Sequence, residues 1–352
     1  MMPARLHLVS GFLGSGKSTL IRAAAQLLQL RDMRVAVITN DQGEDQVDTA
    51  WMEAGGIPAR QVANGCFCCR LQDLVDQLDE LAALNPEVIF AESVGSCTDV
   101  VATVVRPLQR RMPDLQCTVT TLTDACLLQS VISGTSAFVN DDVRYIFHQQ
   151  LQEASVILLN KLDLLSRSDI APLVDALQLK YPMAKVGSGS ALHESLCLQW
   201  LEILDDSRQN SVLQEIDYER YAAGEAALAW FDAQLTLTGA GAGAAIATLA
   251  QRMIQSIRSK GWPVGHLKLL ATGASGTVKV SMTSTQHDEV GHFTRLTDHA
   301  LTLTINARVM CLPEELRTLL MHTIGQLPVA ATVVRSRAFA PGYPIPAERI
   351  TE

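Results

Sequence analysis

Eight residues, Gly11-Phe12-Leu13-Gly14-Ser15-Gly16-Lys17-Ser18, restrict this chain more than any other feature, because they match G-x-x-x-x-G-K-[ST] at every fixed position. An apolar run, Leu6–Ser10, precedes them and a stretch of good helix formers, Thr19–Leu30, follows. Strand, glycine-rich turn and helix in that order make an anion cradle. The glycines let the backbone approach a phosphate, and the N–H groups of the loop and the helix start point at its oxygens. Gly11, Gly14, Ser15, Gly16, Lys17, Ser18 and Thr19 are the expected phosphate contacts, with Lys17 neutralising β- and γ-phosphate charge and the Ser18 hydroxyl ligating Mg²⁺. A glycine turn that only caps a helix would account for the glycines and leave the Lys-Ser pair without a reason.

The alternation continues: Val35–Asn40, then a helical pattern at Leu71–Leu84, Val88–Glu92, Thr118–Leu122 and Ala154–Asn160. Such βα alternation predicts an α/β fold with a doubly wound, mainly parallel sheet. Residues 1–207 are expected to form this domain, and the polar, irregular stretch at 208–225 a linker. Residues 226–352 are expected to form a smaller α+β domain with an antiparallel sheet and helices on one face. Its predicted strands lie at Trp230–Leu237, His266–Ala271, Thr277–Met282, Ala300–Ala307 and Ala330–Arg335, and its helices at Ala244–Lys260 and Pro313–Leu327.

Composition narrows the partners. Twenty-eight Lys and Arg face 37 Asp and Glu, a formal charge of −9, and no basic segment offsets it, so binding to a nucleic-acid backbone is not expected. The N-terminus lacks the apolar core of a signal peptide and no apolar run is long enough to span a bilayer; a cytoplasmic protein with no membrane partner is the expectation.

Three further segments carry chemistry. Asn160-Lys161-Leu162-Asp163 follows an apolar strand roughly 140 residues after the glycine loop. There Asp163 can accept from the ring N–H and exocyclic amine of guanine, while adenine would leave the carboxylate unpaired. Asn160 and Lys161 would brace that loop and pack over the base, and Ser190, in Gly187-Ser188-Gly189-Ser190, could add a contact; a plain turn remains the alternative for each segment. Val88–Glu92 ends an apolar strand in a carboxylate. Glu92 would hold Mg²⁺ through water and the Gly95 N–H would meet the γ-phosphate, the alternative being an ordinary polar strand end. Finally, Cys66, Cys68 and Cys69 crowd into four positions just before a helix start, too close together to form a disulfide framework. Thiolates at this density suit Zn²⁺ or another thiophilic ion; a redox pair and coincidental core thiols are the competing readings. Cys97, just past Gly95, could join this thiol site, although a half-buried core thiol is the favoured reading.

GFLGSGKSTL, ITNDQGEDQVD, NGCFCC, ESVG and NKLD, in this order, resemble the CobW family of metal-handling P-loop GTPases, which is related to the urease and hydrogenase maturation GTPases. The resemblance is close through about the first 200 residues and fainter at Gly265-His266-Leu267-Lys268 and Asn306-Ala307-Arg308. It implies metal-site thiols at Cys66, Cys68 and Cys69, Glu44 as a nearby acidic ligand, and Asp48 as a switch residue close to Mg²⁺. Two positions depart from the family pattern: Thr39 stands where many members carry an acidic residue, and Asp41-Gln42-Gly43 replaces a more usual Glu-Phe-Gly.

The expectation is therefore a GTPase that binds GTP, Mg²⁺ and Zn²⁺ or a similar ion, with Lys17, Asp48 and Glu92 at the reacting phosphates. It would serve as a metallochaperone for a client metalloprotein, with metal and nucleotide sites coupled. No Gln or Arg is evidently placed to assist hydrolysis, so slow intrinsic turnover is expected, with the site completed by a partner or by homodimerisation. A nucleotide-gated metal sensor or scaffold with little hydrolysis, and a P-loop kinase for a small molecule, stay open. The kinase would need neither Asp163 nor the cysteines.

Overall fold

The computed structural model describes residues 5–43, 47–135, 140–207, 213–286 and 289–351. Along the first half run β1 (Arg5–Ser10), α1 (Lys17–Gln29), β2 (Val35–Asn40), α2 (Val47–Ala54), β3 (Ala59–Val62), α3 (Leu71–Ala82), β4 (Val88–Glu92), α4 (Arg106–Arg111), β5 (Gln116–Asp124), α5 (Ala125–Ile132), α6 (Asp141–Gln152), β6 (Val156–Asn160), α7 (Arg167–Lys180), β7 (Lys185–Ser188) and α8 (Glu194–Asp205). The strands form one seven-stranded sheet in the order β3-β2-β4-β1-β5-β6-β7, every neighbouring pair parallel. β2, β4 and β6 are buried along their whole length. Helices cover both faces of such a sheet, so its strands read as continuous apolar runs and not as alternations.

Register decides where a ligand site can form. Val9 and Thr39 both pair with Glu92, Ser10 pairs with Thr121, and Asp124 pairs with Asn160. The carboxyl ends of β1, β2, β4, β5 and β6 thus fall in one row, at the edge where open α/β sheets bind ligands.

The remaining elements are α9 (Tyr218–Ala226), β8 (Ala229–Thr238), α10 (Ala242–Ser259), β9 (Val264–Gly273), β10 (Gly276–Met282), β11 (Ala300–Val309), α11 (Pro313–Ile324) and β12 (Ala330–Phe339). The strands make a five-stranded antiparallel sheet, β10-β9-β11-β8-β12. Alternation splits its faces. Phe231, Leu235, Leu269, Leu303 and Ile305 join Ile246 and Met253 of α10 and Leu316 of α11 in an apolar core. Removing one of these fully buried side chains, as in Leu303→Ala, costs about 2–5 kcal/mol. The opposite face carries Asp232, Lys268, Lys279, Asn306 and Arg308, and α2 docks there: Asn306 Oδ1 accepts from Val47 N at 3.2 Å, and Lys279 Nζ sits 3.8 Å from the Trp51 ring centroid.

The chain packs as two units that interleave in sequence: Met1–Gln42, Gly55–Gly224 and Tyr343–Glu352 make the first, Gly43–Ala54 and Glu225–Gly342 the second. Compared with the serial layout expected at 1–207, 208–225 and 226–352, residues 43–54 and 343–352 are exchanged between the units, and 213–224 pack with the first. That polar stretch also starts a helix. Asp217 Oδ1 accepts from the Glu219 and Arg220 amides at 3.1 and 3.2 Å, capping α9, and Tyr221 is fully buried. Among the described residues no helix is long and apolar enough to cross a membrane.

Candidate nucleotide and metal sites

The turn between β1 and α1 depends on its glycines. Gly11, Gly14 and Gly16 have φ of 130°, 73° and 101°. A Cβ on Gly11 would stand 2.1 Å from the Leu122 carbonyl oxygen, and one on Gly16 would stand 2.3 Å from Asn160 Nδ2, so no side chain fits at either. Gly16 is the N-cap of α1 and makes no side-chain cap hydrogen bond, and the N-terminus of such a helix is where anions are bound. Lys17 is buried, its ammonium 2.7 Å from the Gly11 carbonyl oxygen, so it lies folded back along the loop. Ser18 Oγ donates to Glu92 Oε1 at 2.9 Å, which brings the two expected Mg²⁺ ligands of this unit together. Ser15 is buried within the loop and Thr19 lies in the first turn of α1. Gly95 lies three residues beyond Glu92, and its carbonyl, like that of Cys97, accepts from Gln150 Nε2, at 3.0 and 2.9 Å.

The expected base-reading segment closes on the same loop. Asn160 Nδ2 donates to the Ser15 carbonyl and Asn160 Oδ1 accepts from Ala191 N, both at 2.7 Å, so one buried amide ties the phosphate turn to the 187–191 segment. Leu162 N donates to Gly189 O at 3.1 Å, and Ser190 is buried with its hydroxyl 3.3 Å from Leu192 N. Lys161 takes a left-handed φ of 67° and its ammonium pairs with Asp124 Oδ2 at 2.7 Å. Asp124 Oδ1 in turn accepts from Cys126 N and Leu127 N, capping α5. Sequence reasoning missed Asp124, which has no motif of its own; the signal was its place at the end of an apolar strand before a helix. Asp163 is exposed on the turn that follows β6.

Asp48 lies in α2, with its carboxylate engaged within the second unit by Lys268 and, at 2.8 Å, by Lys279 Nζ. Burial alone would raise its pKa, but the two ammonium groups hold it well below the usual carboxylate range. Glu44, the expected acidic metal ligand, lies outside the described residues.

The cysteine loop is a single helical turn. Cys66 O accepts from Cys69 N and Arg70 N at 3.0 and 2.9 Å, which swings the side chains toward one another. Asn40, at the end of β2, braces it: Nδ2 donates to Val62 O and Gly65 O, and Oδ1 accepts from Phe67 N at 2.8 Å. Cys66 Sγ stands 3.3 Å from Cys69 Sγ, and Cys68 Sγ stands 3.8 Å from Cys69 Sγ. Cys97, expected to be a core thiol, joins them. Its Sγ is 3.9 Å from Cys68 Sγ, and Cys66, Cys68 and Cys97 are all buried with their sulfurs within 4.8 Å of one another. Tetrahedral zinc with metal–sulfur bonds of about 2.3 Å needs sulfurs about 3.8 Å apart, close to these spacings. Contact with Cys66 and the other thiols, together with burial, raises the Cys68 pKa well above the ordinary thiol value, and contact with Cys66 pushes Cys69 up to about 11. Metal binding to such thiols exchanges their protons for a soft cation, and the spacing of these sulfurs fits one.

A family model described as CobW/HypB/UreG, nucleotide-binding domain, matches residues 5–186, just over half of the chain. Zinc chaperone YjiA of Escherichia coli (strain K12) is 37% identical over 103 residues, which cover 28% of this chain and 31% of that protein. Zinc chaperone CobW of Sinorhizobium sp is 27% identical over 197 residues, covering 47% of this chain and 53% of that protein. The matches therefore span between about a third and a half of these relatives' lengths. The solved structure of a Zn(II)-bound triple mutant of the YjiA GTPase aligns over 92% of this chain and 99% of that one, at 17% identity and a TM-score of 0.41.

Proposed function

We propose, because this chain belongs to the CobW/HypB/UreG nucleotide-binding family, that it is a GTP-hydrolysing metallochaperone. In this reading it binds GTP and Mg²⁺ at the Gly11–Ser18 loop and holds zinc or another thiophilic divalent ion among Cys66, Cys68, Cys69 and Cys97. It hands that ion to a client metalloprotein. That the two relatives are named zinc chaperones supports the choice of ion.

One loop carries the reading. Glu92, the last residue of β4, accepts from the Ser18 hydroxyl beside the phosphate turn, and Cys97, on the loop that follows, sits in the thiol cluster. If Ser18 and Glu92 turn toward Mg²⁺ when GTP binds, the strand end that carries Glu92 moves against the loop that carries Gly95 and Cys97. Metal affinity then depends on nucleotide state. Water would attack the γ-phosphorus as its bond to the β–γ bridging oxygen breaks, giving GDP and inorganic phosphate; loss of the γ-phosphate ends the Gly95 contact and resets the thiol cluster. Lys17 neutralises the phosphates and Asp163 selects guanine. Asp48, paired with Lys268 and Lys279 inside the second unit, is the switch residue of this reading. Hydrolysis is slow until a partner or a second copy supplies a group that stabilises the developing charge.

Linked binding is reciprocal, so the test is calorimetric titration of zinc with and without a non-hydrolysable GTP analogue, and of the analogue with and without zinc. The two ratios must agree. If zinc binds without altering nucleotide affinity and the analogue leaves zinc affinity unchanged, coupling is lost; formation of a phosphorylated small molecule would favour the kinase.

A further inference from the structure

We propose that residues 343–351 are a clasp on the thiol cluster, and that its docking sets how fast a bound metal ion leaves; the proposal rests on reading that cluster as a metal-transfer site. The segment has no helix or strand, yet packs with the first unit. Ala347 donates its backbone N–H to Cys68 O at 2.8 Å, and a backbone hydrogen bond from Ile345 reaches the Cys69 side chain. Two amides on either side of Pro346 thus hold two of the clustered cysteines, one by its carbonyl and one by its sulfur.

The same segment grips the other half of the cluster. Arg349 forks onto Asp99, Nε to Oδ2 at 2.6 Å and Nη2 to Oδ1 at 3.4 Å, and Nη2 also donates to Gln214 O at 2.7 Å. Asp99 lies two residues past Cys97; it is buried, with a left-handed φ of 61°, and accepts from the Tyr218 hydroxyl at 2.7 Å. Ile350 N bonds Ala102 O at 2.9 Å, and Glu348 pairs with Arg110 and Arg111. One stretch of chain therefore bridges the Cys66–Cys69 turn and the Cys97–Asp99 loop, the two pieces that must stay in register for their sulfurs to share an ion.

The attachment suits a part that opens. Ile345 is 72% exposed and Tyr343 50%, so apart from Pro344 and Ile350 the segment is held by a few hydrogen bonds and the Arg349–Asp99 pair, which set its opening free energy. Pro344 and Pro346 preset their φ angles, which limits the freedom lost on docking. The thiol that the segment touches, Cys69, is the half-exposed member of the cluster and the sulfur an incoming ligand meets first. Docked, the clasp shields that sulfur and favours its ligation through the Ile345 bond. Undocked, it leaves Cys69 open to exchange.

The test uses the full chain loaded with zinc and mixed with excess chromophoric chelator, with release followed by stopped-flow absorbance. Arg349→Ala and Ala347→Pro are expected to release zinc about tenfold faster than wild type at unchanged stoichiometry, with Arg349→Lys recovering part of the difference. A second readout needs no metal: iodoacetamide should alkylate Cys69 of the metal-free chain faster in the same order, while GTP affinity stays at the wild-type value. Release and alkylation rates equal to wild type in Ala347→Pro, with an unchanged circular dichroism spectrum, overturn the clasp. If the wild-type chain takes up no zinc, it is the metal-transfer reading that fails, and the alkylation rates still decide whether the segment guards Cys69.

Discussion

Ser18 and Glu92, 74 residues apart, meet through a 2.9 Å hydrogen bond that joins the first turn of α1 to the last residue of β4. Both side chains are buried, and both groups can face a cation held by a nucleotide. Glu92→Ala is therefore expected to lower the Mg²⁺-dependent GTP hydrolysis rate about 100-fold, or about 2.7 kcal/mol of barrier, while GTP affinity changes less. Phosphate release at saturating GTP, titrated with Mg²⁺, measures it.

Base selectivity is expected to rest on one exposed carboxylate. Asp163→Ala removes the acceptor for both guanine donors, so GTP affinity should fall by roughly 10- to 100-fold with ATP affinity unchanged. Fluorescent-nucleotide competition reports both affinities. Equal losses for both nucleotides would mean that the turn after β6 holds the loop without reading the base.

Cys97→Ser is expected to weaken zinc binding roughly 100-fold, because it removes one sulfur of the cluster and leaves Cys66, Cys68 and Cys69. GTP affinity in the absence of zinc should stay at its wild-type value, and the ratio of GTP affinities with and without zinc should approach one. Chelator competition for zinc and calorimetry for nucleotide give the two numbers.

Glu153 gives the protein a pH signature. Burial pushes its carboxyl up to about 7, although Thr98 Oγ1, Asp99 N and Val101 N donate to it at 2.6, 2.6 and 3.1 Å. The unfolded chain loses this proton near the ordinary value of 4.5. Between the two values the folded state binds more protons than the unfolded one, so stability present below pH 4.5 is lost as pH rises toward 7, by up to about 3 kcal/mol. Asp48, held low by Lys268 and Lys279, works in the opposite sense at pH values below its ordinary 3.8. Urea unfolding across pH 4.5 to 7.5 should show the decline, and Glu153→Gln should flatten it.

The phosphate turn and the parallel sheet were legible because both are local: an eight-residue pattern and runs of apolar residues identify themselves within a window of one element. Features that depend on contacts across long sequence separations were not. Cys97 reads from the sequence as either a core thiol or a member of the cluster, and only the fold, which brings the loop after β4 beside Cys68, 29 residues away in sequence, decides for the second. Asp48 sits in a segment that resembles a switch, yet its partners Lys268 and Lys279 lie 220 and 231 residues downstream. Asp124 ends β5 and Lys161 directly follows β6, and only the register of β5 on β6 makes them a pair. In the polar stretch before β8, the cap at Asp217 and the buried ring of Tyr221 outweigh a composition that reads as linker.

The exchange of residues 43–54 and 343–352 between the two units has a consequence for how such a protein can be taken apart. Wherever the polypeptide is cleaved once, at least one fragment keeps a piece that belongs to the other's fold. No single junction in the sequence separates the two units whole.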